Sequence, residues 1–61
     1  MDYNVYEQRN GDLIRLGTVR DVTSADSMDV ARRRCKVRHP VLHELDARGE
    51  EVKVRYYDPD Y

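Results

Sequence analysis

The chain has 61 residues, 38% of them charged, with no Trp or Phe and five Tyr, which allows one small domain with a thin core and excludes a walled catalytic cavity. The net charge of −1 excludes a polyanion binder that is basic over its whole surface, and the single Cys35 excludes an internal disulfide. Charge is nonetheless uneven: Ala31 to His39 holds five of the eleven bases and no acid, while the rest of the chain sets six bases against its twelve acids.

The first segment, from Tyr3 to Arg9, alternates, with Tyr3 and Val5 on one side and Asn4, Tyr6 and Gln8 on the other. Asn10-Gly11 is the pair that most readily takes positive φ in a tight hairpin turn, so "DLIRLGTVRDV" is expected to return as a second strand, with a bulge at Gly17. The period then changes. Thr23 or Ser24 caps a helix over residues 24–35, acids sit in its first turns, and Arg32, Arg33 and Arg34 sit in its last. Ala25, Met28, Ala31 and Cys35 form the stripe expected to lie on the sheet.

Beyond the helix, Val37, His39, Val41, His43 and Leu45 recur at every second position, the pattern of a strand that Pro40 confines to a sheet edge. A rival reading makes 40–48 a short helix, with Pro40 in its first turn and Gly49 past its end. Gly49 turns the chain, and the last segment points Val52, Val54 and Tyr56 inward and Lys53, Arg55 and Tyr57 outward. The fold class is therefore α+β: an antiparallel sheet of three to four strands with one helix on one face, in the order β-β-α-β-β. Residues 58–61 read as a fraying tail or a short acidic-aromatic docking segment.

One helix covers one face of such a sheet. The outward residues Tyr6, Arg15, Leu42, Arg55 and Tyr57, with Arg38 beside them, form the expected interface, because Tyr and Arg lose little entropy per contact. So thin a core needs support from disulfide, metal or association, and association is the one the composition leaves most open. The expected partner is a protein, a second copy first of all. The same face also reads as a stacking platform for single-stranded nucleic acid, although no glycine-aromatic RNA-binding signature is present.

The basic run divides. Arg32, Arg33 and Arg34 step by about 100° each around a helix, so they do not form one comb, and cations in a last turn each stabilise the dipole by roughly 0.3–1 kcal/mol. Asp29 and Arg33 stand at an ion-pair spacing. Lys36 and Arg38, read as strand residues, gain nothing from the dipole. Arg32, Arg33, Lys36 and Arg38 are therefore the candidate site for a phosphate-bearing ligand, a nucleotide or nucleic acid.

No catalysis, cofactor or metal is expected. Cys35, His39 and His43 repeat every four residues, but Pro40 interrupts any common helix and no fourth ligand is near. Cys35 at a helix C-terminus lies at the dipole end that suppresses the thiolate, and no phosphate loop or hydrolase motif is present. One unpaired Cys suits a reduced cytoplasmic setting, and no apolar stretch approaches the roughly 20 residues of a membrane span.

Tyr3, Val5, Tyr6 and Gln8, then Gly17, Thr18 and Val19, then Ala31 form a pattern similar to the front of the small non-catalytic B subunit of the phenylacetyl-CoA epoxidase complex. It covers about the first half of the chain, and the second half has no counterpart. The resemblance implies a non-catalytic, partner-binding role.

Overall fold

The computed structural model describes residues 1–60. It contains β1 (Asp2–Arg9), β2 (Asp12–Val19), α1 (Ser24–Cys35), β3 (Val41–Leu45) and β4 (Glu51–Tyr57). The strands form one antiparallel sheet in the order β2-β1-β3-β4, the β-β-α-β-β arrangement expected from the pattern. The first hairpin turns at Asn10 (φ 51°) and Gly11 (φ 84°), the paired positive φ values that this dipeptide tolerates. Gly17 pairs with Val5 while Arg15 pairs with Tyr6, so Leu16 is the extra residue of a bulge.

Thr23 caps α1, its side chain accepting from the Asp26 N–H at 3.2 Å, and Lys36 ends it in the left-handed conformation (φ 53°). Ahead of the helix, Val22 exchanges backbone hydrogen bonds with Met1, which ties the entry of α1 to the start of β1. The helix rests chiefly on β1 and β2, and its buried residues are Ser27, Val30 and Ala31. The expected stripe is thus rotated: Met28 and Cys35 lie at its margin and Ala25 is exposed. The reason is Val30, the bulkiest apolar side chain of α1 apart from Met28, which centres the buried face on itself.

The core joins Tyr3, Val5, Val19, Val22, Val30, Ala31, Val37 and Leu42, and Tyr56 meets the Tyr3 ring edge-on with centroids 5.6 Å apart. β3 is a strand, as the alternation predicts, and not the rival short helix, but it begins only at Val41 and lies inside the sheet between β1 and β4 instead of at an edge. Pro40 precedes its first residue and so removes no ladder bond from it. The phase of β3 is also the reverse of the alternation read from Val37 to Leu45. Leu42 pairs with Val5 and is fully buried, whereas His43 pairs with Asn4 on the other face. Left-handed Lys36 and the Pro40 that follows hold 36–40 out of the sheet, so Val37 fills the core from a loop and β3 starts its own count. In β4, Tyr56 points inward as expected, but Val54 is 43% exposed, because the helix stands over β1 and β2 and leaves β4 bare.

Candidate functional site

The helix-free face carries most of the candidate interface. Tyr6 and Arg15 stand opposite each other on β1 and β2, Arg55 stands opposite His43, and Tyr57 opposite Val41. Leu13, opposite Gln8, adds an apolar side chain to the same side. Leu42 does not belong there: its place in the core removes it from the interface set.

A polar network orders the middle of this face. Three residues of β4 (52–54) stand against Glu44 alone, so that Glu51 comes opposite Leu45 and reaches back over the sheet. Its carboxylate accepts from Asn4 Nδ2 at 2.8 Å, from the Tyr6 hydroxyl, and from His43 Nδ1 at 3.0 Å. A carboxylate only accepts, so Nδ1 is the protonated nitrogen of His43. These bonds, Asn4 foremost, hold the Glu51 carboxyl down to about 2, while the bond to Glu51 pushes the Tyr6 hydroxyl up. The Tyr6 and His43 rings lie 4.4 Å apart. Arg15 donates to Thr18 and Thr18 to Asn4, each at 2.7 Å. His43 Nε2 is buried, with no hydrogen-bond partner among the described residues. Sequence reading found Tyr6 and Arg15 but missed Asn4, His43 and Glu51, whose convergence depends on the irregularity in β4.

The basic run separates differently from the sequence division. Arg32 is committed within the fold: it donates to Asp29 Oδ1 at 2.8 Å, to the Arg38 carbonyl at 3.2 Å and to Asp58 Oδ2 at 2.6 Å. The helix ion pair is therefore Asp29–Arg32 and not Asp29–Arg33. Asp58, placed by sequence in a fraying tail, is a buried anchor whose side chain is 2% exposed. It also accepts from His39 Nδ1 at 3.0 Å and from the Asp60 N–H at 2.9 Å. These bonds, led by the one from Arg32, hold its carboxyl down to about 2. Tyr61 lies outside the described residues.

Arg32 therefore leaves the anion-site set. Arg33, Arg34, Lys36 and Arg38 are exposed and form no ion pair among the described residues. Lys36 is the residue that ends the helix and not part of a strand, so it does lie where the dipole favours a cation. Beside this run, at the end of the sheet, is a pocket of about 190 Å³ lined by Arg38, His39, Pro40, Val41 and Tyr57, with Glu7, Gln8 and Asp58.

No family model, curated protein or solved structure matches the chain. Among the described residues, no group of three His, Cys, Asp or Glu side chains is placed to hold a metal ion. His39 turns to Asp58 outside the strands, and His43 turns to Glu51 on the sheet. No helix is long and apolar enough to cross a membrane.

Proposed function

We propose that this chain is a small non-catalytic binding module that works through protein contacts on the helix-free face of its sheet, with a second copy of itself as the occupant. The observation that carries this reading is the makeup of that face. Tyr57 is 61% exposed and Leu13 41%, and with Arg15 and Arg55 they surround a network already held in place by Glu51. Exposed aromatic and Arg side chains are the usual anchors of interfaces, and groups ordered before contact lower the entropy lost on binding.

The sheet edges are poorer candidates. β2 carries the bulge at Leu16, and β4 carries a larger irregularity together with Lys53 and Arg55, the features that discourage edge-to-edge pairing. A face contact also supplies the apolar burial that a core of one Tyr, one Leu, one Ala and five Val lacks. A reduced intracellular setting belongs to the same proposal, since Cys35 is a free thiol.

Size-exclusion chromatography with light scattering tests it. The expected result is a mass that is a multiple of 7.2 kDa, lowered toward one copy by Tyr57→Ala. A Tyr57→Ala protein that keeps the native mass would overturn the assignment of the face.

A further inference from the structure

We infer that the basic end of the helix and the pocket beside Tyr57 together bind a nucleoside phosphate, either free or as the unit of a single strand. Arg9 pairs with Glu7, Arg20 with Asp2, Arg32 with Asp29 and Asp58, and Arg48 with Asp46 and Glu50. Arg33, Arg34, Lys36 and Arg38 form no ion pair among the described residues and, unlike Arg15, Lys53 and Arg55, which also form none, they are consecutive or nearly so in one short stretch. Four exposed cations fall within six residues, in a chain with twelve carboxylates to offer, and none of those carboxylates among the described residues reaches them. Such a stretch is set to neutralise phosphates, and a mainly acidic body orients the ligand onto it.

The pocket supplies the rest of the chemistry. Its two carboxylates are already occupied, Glu7 by Arg9 and Asp58 by Arg32 and His39, which leaves Arg38 as its unpaired charge. The exposed Tyr57 ring, with Pro40 and Val41, gives a base an apolar platform, and base–aromatic stacking contributes about 1–3 kcal/mol. At about 190 Å³ the pocket falls below the ~300 Å³ at which pockets for drug-sized ligands begin. It suits one base, with its phosphate outside on Lys36 and Arg38.

The test is titration of ¹⁵N-labelled full-length protein with AMP, with a twelve-residue oligothymidylate and with a polyglutamate peptide, each at several salt concentrations. AMP and the oligonucleotide are expected to shift the amide signals of Arg38, His39 and Tyr57. The oligonucleotide affinity should fall with salt at a log-log slope of about −2, from about 0.7 per phosphate over three contacts. Lys36→Ala with Arg38→Ala should weaken binding at least tenfold and bring the slope to about −0.7. Tyr57→Leu should weaken binding about fivefold or more with the slope unchanged. All these positions are exposed, and unshifted signals elsewhere report that the fold is intact.

Absence of shifts, shifts that avoid Tyr57, or polyglutamate binding as tight as the oligonucleotide would each overturn the inference, the last in favour of an acidic protein partner. Tyr57 belongs to both proposed surfaces, so the Lys36 and Arg38 result discriminates between them. Loss of nucleotide binding at unchanged oligomer mass leaves the protein-contact reading intact, and a monomer that binds AMP leaves this one intact. If the Lys36 and Arg38 double variant instead falls apart to monomer, the two surfaces are one and the inference fails.

Discussion

Leu42 and Arg32 both leave the surface roles that the sequence pattern gives them. The alternation from Val37 to Leu45 puts Leu42 on the open face, yet it lies fully buried against Val5, so Leu42→Ala is expected to lower unfolding free energy by about 2–5 kcal/mol in urea titration. A change in association with unaltered stability would return it to the surface. Arg32, one of three look-alike arginines, joins the helix to Asp58 and to the loop carbonyl of Arg38. Removing it leaves a buried carboxylate without its main partner, so Arg32→Ala should lower the melting temperature well beyond Arg33→Ala or Arg34→Ala, which stay near wild type. Glu51 and Asp58 also set an acid limit. Both carboxyls titrate near 2 when folded, against ordinary values of 4.5 and 3.8, so the folded state binds fewer protons through that range. Their contribution is complete above about pH 4.5 and is lost as pH falls toward 2, which thermal unfolding followed across pH 2–6 should trace.

Local chemistry carried the elements whose signals are local. Thr23 fixed the start of α1, Asn10-Gly11 the first hairpin and Gly17 the bulge, and each is a short-range effect that holds whatever packs around it. Thr23→Ala should accordingly destabilise the protein by about 1 kcal/mol, as read by chemical denaturation. The phase of β3 was not legible in the same way. Val37 to Leu45 alternates without a break in apolar character, and only the left-handed Lys36 and the buried Pro40 reset the count at Val41. The Glu51 network and the Asp58 anchor were hidden for a different reason. Their partners lie 8 to 47 and 19 to 26 residues away in sequence, and the first depends on an irregular stretch of β4 that composition does not announce. Tyr6, Arg15, Arg55 and Tyr57 could be placed on one face because period 2 holds in β1, in β2 ahead of the bulge at Leu16 and in β4 from Arg55 onward.

At the scale of the whole molecule, one twelve-residue helix covers β1 and β2, while the opposite face and the outer part of β4 stay open. The body measures 31 × 21 × 18 Å, so its broad face is comparable to the ~800 Å² that each partner buries in an ordinary interface. Charge is uneven too: four of the cations without an ion pair among the described residues, Arg33, Arg34, Lys36 and Arg38, gather at the helix end, while Arg15, Lys53 and Arg55 are spread over β2 and β4. On the proposed reading, a second copy occupies the open face. The most direct measurement is native mass spectrometry of the purified protein at neutral pH over a range of concentrations. A species at a multiple of 7.2 kDa is expected, receding in Tyr57→Ala and persisting in Lys36→Ala with Arg38→Ala. A single-copy mass at every concentration, or an oligomer indifferent to Tyr57, would contradict that reading.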